Sequence, residues 1–214
     1  LDKLTQLSLQ NVNEYKGINR IIIWPETSFE GSIPNEMKLL SEISKRILMD
    51  QKAILVVGLL RVDGNKLFNS LVFLNSKGNI IHQYDKIHLV PFGEYIPFRS
   101  KFTTIANFLS LKDFSSGNIK PNFNLKGLGN ILTLICYEIL FTEEVISRLS
   151  KNTNLLINIT NDAWFGKTIG PYQHLALAKI KAVELGIPLA RVANTGISAL
   201  ISPYGEEITK IPLY

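Results

Sequence analysis

Residues 53–89 read AILVVGLLRVDGNKLFNSLVFLNSKGNIIHQYDKIHL, and their alternation of apolar runs with turn signals decides how the chain is built. Ala53–Leu60, Leu67–Leu74 and Ile80–Tyr84 are strand-like, separated by Asp63-Gly64-Asn65 and Ser76-Lys77-Gly78-Asn79, which predicts successive hairpins. Working outward, Ile21–Trp24 reads as a strand upstream. Ile131–Ile135, Leu155–Thr160, Leu189–Ala193 and Ile197–Ile201 read as strands downstream, the last closing on a turn at Pro203-Tyr204-Gly205. Met37, Leu40, Ile43 and Ile47 recur at helical spacing, as do Leu175, Ala178, Ala182 and Leu185 after Pro171, a residue suited to a first helical turn. Strands mixed with helices predict an α/β sandwich: a mixed sheet with helices on one face and a second sheet to cover the other.

The chain has 214 residues, enough to bury one core, and reads as a single domain over 1–214. Hydrophobic residues make up 46% and charged residues 19%, which excludes a disordered chain. The longest apolar run, Ala53–Leu60, is far short of the roughly 20 residues of a spanning helix. No secretory leader pattern opens the sequence. The net charge of +5 comes from scattered lysines and arginines with no basic cluster interleaved with aromatics, so no nucleic-acid partner is expected. His82, His88 and His174 have no metal-ligand spacing and there is one cysteine, so no metal is expected; no glycine-rich phosphate loop implies a cofactor.

Three residues carry the chemistry. Glu26 follows the first strand in IIIWPETS, Lys86 follows another in YDKIHLVPFGEYIP, and Cys136, the single cysteine, ends a third in LTLICYEIL. A thiol attacks an acyl carbon as thiolate, so it needs a base for its proton and a cation or donor for the oxyanion. Glu26, Cys136 and Lys86 supply one of each, with the Tyr137 N–H as a second oxyanion donor. A nearby ammonium and carboxylate base are both expected to raise the reactive fraction of the thiol. Taken singly, the cysteine is a small buried hydrophobe and the two charges are solvated loop residues. Strand ends that open on one mouth would bring them together.

The order WPE, DKIHLVPFGEYIP, ICYE and NDAWFGKTIGPYQH resembles the carbon-nitrogen hydrolase (nitrilase) superfamily. In HLVPFGEYIPF, CYEI and NDAWFG it is similar to the apolipoprotein N-acyltransferase branch in particular, from about Ile21 to Gly205. The resemblance implies a nitrilase-like α-β-β-α sandwich, truncated at both ends relative to the family, with Glu26 as general base, Lys86 as oxyanion cation and Cys136 as nucleophile. It also implies a phospholipid acyl donor, a diacylated apolipoprotein acceptor, and a periplasmic domain anchored to the bacterial inner membrane by helices outside this chain.

Glu94 and Glu138 match positions important in that branch. Glu94 orients Lys86, or shares a proton with Glu26, or is a loop carboxylate accepting backbone N–H groups; Glu138 is expected to brace the strand end. Trp164 falls in a loop that resembles the family's substrate-facing loop, against a reading as core packing. Asn161 and Asp162 are expected to shape that turn; Arg191 is compatible with pairing inside the sandwich, which the sequence alone does not decide. Six of the eleven phenylalanines fall between Phe92 and Phe123. Phe98, Phe102, Ile105 and Leu109 fit one helix face flanked by Arg99, Lys101 and Lys112, which is read either as an ordinary helix packing inward or as an apolar lid over 95–114 that meets lipid. Two rival readings remain: a soluble amidase or nitrilase using the same three residues on a small amide, and a noncatalytic remnant.

Overall fold

The computed structural model describes residues 1–10, 14, 18–49, 52–97, 113–118 and 122–213. Two sheets lie face to face. In the first, β1 (Arg20–Ile23) and the short β2 (Ser32–Ile33) both run parallel to β3 (Ala53–Asp63). β3 then turns back into β4 (Lys66–Leu74), and β4 into β5 (Ile80–Asp85), as antiparallel hairpins. In the second, β7 (Gly129–Ile135), β8 (Thr153–Asn161) and β9 (Leu189–Asn194) are parallel. β6 (Phe123–Leu125) flanks β7, and β10 (Ser198–Ile201) and β11 (Glu207–Ile211) continue from β9, all antiparallel.

Period-two alternation sorts each strand's side chains into two cores. From β3, Ile54 and Val56 point inward to meet Ile131, Ile135, Ile157 and Ile159 of the second sheet, with Leu71, Phe73 and Tyr84 completing the layer between the sheets. Leu55, Val57 and Leu59 point outward, where α2 (Met37–Ile47) covers them with Leu40, Ile43 and Ile47. On the opposite outer face, Leu132, Leu134 and Leu156 are covered by Val145 of α3 (Thr142–Arg148) and by Leu175, Ala178 and Ala182 of α4 (Gly170–Leu185). The layers are therefore α-β-β-α. Each such fully buried aliphatic side chain contributes roughly 1.5–3 kcal/mol.

The expected strands and both expected helices are present within a few residues, and Pro171 sits in the first turn of α4. Sequence reading did not find α1 (Asp2–Leu9), α3, or the strands β2, β6 and β11. Of the expected lid, Phe98, Arg99, Lys101, Phe102, Ile105, Leu109 and Lys112 lie outside the described residues. Its two ends are described and joined: the Phe114 N–H donates to the Glu94 carbonyl at 2.7 Å and the Ile96 N–H to Asp113 Oδ1 at 3.2 Å.

Candidate active site

Glu26, Lys86 and Cys136 line one cavity of about 440 Å³ at the strand ends. Glu26 arrives there because β1 leaves the sheet at Trp24, whose N–H still donates to the Val56 carbonyl at 2.8 Å. The chain then passes directly over Gly58. A Cβ on Gly58 would sit 2.7 Å from the Glu26 Cα and closer still to the Pro25 carbonyl, so only glycine lets β3 underlie this turn. Lys86 leaves the end of β5, its N–H donating to the Asn69 carbonyl at 2.8 Å. Cys136 leaves the end of β7 in the left-handed region, φ +54°.

Four described residues other than glycine have positive φ, and three of them, Thr27, Phe92 and Cys136, line this cavity. Such a backbone costs about 1–2 kcal/mol per residue and persists only where its surroundings enforce it. Strain is concentrated at the cavity.

The Lys86 ammonium is 1% exposed and lies 2.9 Å from Glu94 Oε1 and 3.9 Å from Glu26 Oε1. Asn69 Nδ2 joins the two acids, donating to Glu26 Oε1 at 2.7 Å and Glu94 Oε1 at 3.0 Å. Their second oxygens accept backbone N–H groups, Glu26 from Asn161 at 2.7 Å and Glu94 from Val90 at 2.8 Å. Glu94 thus bonds to Lys86 and accepts a loop N–H at the same time.

Burial pushes the Glu26 carboxyl above the usual carboxylate range, and the repulsion of Glu94 adds to this, against Lys86 and the Asn69 and Asn161 hydrogen bonds. For Lys86, burial opposes the charge, but attraction to Glu26, Cys136 and Glu94 prevails and keeps the amine protonated. The Cys136 thiol is pushed up to about 12, by burial first and the Glu26 charge second, outweighing Lys86. Lys86 favours the thiolate as expected, whereas the Glu26 charge acts with burial against it. That upward push favours the protonated sulfur, so a base beside it is needed if it is to act as a nucleophile.

Tyr137, Trp164 and Phe165 line the mouth with Phe92 and Phe114. Trp164 is 81% exposed and Phe92 76% exposed, so Trp164 is not a core-packing residue. Glu138, fully buried, accepts from the Ile135 N–H at 2.8 Å, the Ile87 N–H at 2.9 Å, the His88 N–H at 3.2 Å and the Tyr84 hydroxyl at 2.7 Å. It ties the Cys136 turn to the segment after Lys86.

Behind the cysteine lies a buried polar chain. Asn158 Nδ2 donates to the Leu134 carbonyl at 3.3 Å and the Cys136 carbonyl at 3.2 Å. Arg191 donates to Asn158 Oδ1 and to Asp162 Oδ2, both at 2.8 Å. Asp162 also meets His174 Nδ1 at 2.9 Å and the Thr160 hydroxyl at 3.2 Å. Asn161 shapes its turn by accepting the Ala163 N–H at 3.2 Å. Sequence reading did not single out Asn69, Asn158, Thr160 or His174 as site-supporting residues. The available signal was polarity inside apolar strands: Asn69 interrupts LFNSLVF and Asn158 interrupts LLINIT.

The profile of the carbon-nitrogen hydrolase family matches residues 7–213. The chain belongs to that family. It is 40% identical over 202 residues to an apolipoprotein N-acyltransferase of Rhizobium leguminosarum bv. trifolii, a match covering 90% of this chain and 37% of that protein. The chain thus spans little more than a third of that relative's length. Among solved structures it is similar to an amidase from Nesterenkonia sp., TM-score 0.71 at 19% identity over 100% of this chain and 80% of that one. It is similar also to a variant of that amidase showing covalent addition of the acetamide moiety of fluoroacetamide at its active-site cysteine, TM-score 0.70 at 18% identity over 99% and 79%. At these identities the amidases establish the fold, and with it the α-β-β-α sandwich of the carbon-nitrogen hydrolase family.

Proposed function

We propose that this chain is the catalytic domain of an apolipoprotein N-acyltransferase, which moves a fatty acyl group from a phospholipid through a Cys136 thioester to the α-amino group of a diacylated lipoprotein. One observation carries the reading. An acid, an ammonium and a thiol share a single cavity whose mouth is built of the aromatic side chains Phe92, Phe114, Tyr137, Trp164 and Phe165. The Rhizobium relative's name gives it independent support.

In the first half-reaction the Cys136 thiol gives its proton to the Glu26 carboxylate as sulfur bonds to the ester carbonyl carbon. Negative charge passes to the carbonyl oxygen, where Lys86 and the Tyr137 N–H stabilise it; one preorganised donor is worth roughly 3 kcal/mol. The ester C–O bond then breaks, Glu26 returns its proton to the departing lysophospholipid alkoxide, and a thioester remains. In the second half-reaction the lipoprotein amine attacks the thioester, Glu26 takes the amine proton, and the C–S bond breaks with that proton passing to sulfur. The amide leaves and the thiol is restored.

Water competes with the amine for the thioester. An apolar mouth disfavours water and holds an acyl chain at about 0.8 kcal/mol per buried CH₂. Under this reading the domain works at the periplasmic face of the bacterial inner membrane. No described helix is long and apolar enough to cross a membrane.

The amidase folds favour a second reading, hydrolysis of a small amide by the same three residues. A labelled phospholipid given together with a diacylglyceryl-cysteine peptide separates them. Label transferred to the peptide amine supports acyl transfer; ammonia released from a small amide, with no label transferred, supports hydrolysis. Neither activity in a folded sample leaves the noncatalytic reading.

A further inference from the structure

Asn158 is fully buried in the middle of β8, and its amide bridges two carbonyls on either side of Ile135, those of Leu134 and Cys136. Its orientation is fixed chemically, because Oδ1 accepts from the Arg191 guanidinium and leaves both N–H bonds for the carbonyls. Arg191 is in turn held by Asp162, and Asp162 by Thr160 and His174. No substrate reaches this chain of groups: Asn158, Asp162 and Arg191 are each at most 1% exposed.

The consequence lies on the other side of one peptide bond. The Cys136 carbonyl and the Tyr137 N–H belong to the same plane, and in a trans peptide they point in opposite directions. Holding the carbonyl on Asn158 therefore aims the Tyr137 N–H away from it, and Tyr137 lines the cavity. Cys136 itself is held at φ +54°, a conformation the backbone leaves unless it is pinned. We propose that Asn158, oriented by Arg191 and Asp162, is a positioning residue that fixes the Cys136–Tyr137 peptide plane and so aims the Tyr137 N–H at the oxyanion of the acyl intermediate. The inference rests on the thioester reading above.

The test uses a reaction that needs the oxyanion donor and one that does not. Acylation of Cys136 by a p-nitrophenyl ester passes through an oxyanion; alkylation by iodoacetamide is a displacement at saturated carbon and does not. Both rates are measured on the whole chain for wild type and Asn158→Leu, acylation by single-turnover nitrophenol release with intact mass. Acylation is expected to fall about 100-fold, with the half-saturating ester concentration unchanged and alkylation within about threefold of wild type. Acylation within about threefold of wild type, or acylation and alkylation falling together, overturns the assignment. Should Asn158→Leu lose cooperative unfolding, Asn158→Ser, which leaves room for a water beside Arg191, is read by the same criteria. A wild-type chain that alkylates but never acylates refutes the thioester reading itself, an outcome distinct from an unaffected Asn158 variant.

Discussion

The Lys86 ammonium is hydrogen-bonded to Glu94 at 2.9 Å, whereas the nearest oxygen of Glu26 is 3.9 Å away. Glu94 therefore anchors the cation and Glu26 keeps a weaker hold on it, which leaves Glu26 the freer of the two acids to accept a proton. Asn69 holds both in place.

Glu94 is one of the charges that raise the Glu26 carboxyl, so Glu94→Gln lowers it. Under the proposed mechanism thioester formation requires the Glu26 carboxylate and fails as pH falls through its pKa. The acid limb of the acylation profile is thus expected to move to lower pH in Glu94→Gln, and the plateau to drop about 10- to 100-fold as Lys86 loses its anchor. Glu26→Gln should remove the limb and cost about 10²- to 10⁴-fold. Single-turnover acylation against pH reads both.

Gly58→Ala places a methyl group against the Pro25–Glu26 backbone. The strand or the turn has to move, at a cost of about 1–3 kcal/mol. A base displaced by the order of 1 Å loses about 100-fold in rate. Urea midpoints and acylation rates check the two parts; a variant with wild-type acylation would show that Glu26 does not depend on this close approach.

Arg191 and Asp162 form an ion pair with both side chains out of solvent. Asp162→Ala leaves the guanidinium buried and unpaired, and is expected to cost about 3–5 kcal/mol in urea denaturation. Arg191 and His174 hold the Asp162 carboxyl below its usual value of 3.8 in spite of burial. Its contribution to stability is therefore present above the unfolded pKa and lost as pH falls below that value through the lower folded one.

His174 gives the opposite residue type and the same direction. Burial, reinforced by Arg191, pushes its pKa below 6.5 even though Asp162 accepts its ring N–H. The folded ring binds a proton less readily than the unfolded one, so stability is complete above about 6.5 and declines as pH falls from there toward the lower folded value. Urea midpoints measured from pH 8 downward should show this decline in wild type, and His174→Gln should flatten it.

The hairpins of residues 53–85 were legible because apolar runs alternate with Gly-containing turns, and α2 and α4 because their apolar residues recur at helical spacing. β2 and β6 span two and three residues, too short for a period to show. β11 is exposed along most of its length and lacks an apolar face. α1 has no side-chain cap and only Thr5 buried, so packing against its neighbours, not its own pattern, holds it. At the site, Glu26, Lys86 and Cys136 were visible as reactive types after strands. The clamp of Asn158, Arg191 and Asp162 was not, because its meaning lies in which carbonyls face one amide, a relation between β7, β8 and β9 that no local spacing encodes. The upward push on the Cys136 thiol escaped for a similar reason: it depends on how completely Cys136 is buried beside Glu26.

The measurement that bears most directly on the thioester is intact mass after mixing the protein with phospholipid in detergent. Wild type is expected to gain one fatty acyl group that hydroxylamine removes and that a diacylglyceryl-cysteine peptide discharges as amide, while Cys136→Ala gains nothing. A folded wild-type protein that stays at its original mass while Cys136 remains open to iodoacetamide, or an acyl group equally present on Cys136→Ala, would contradict the account.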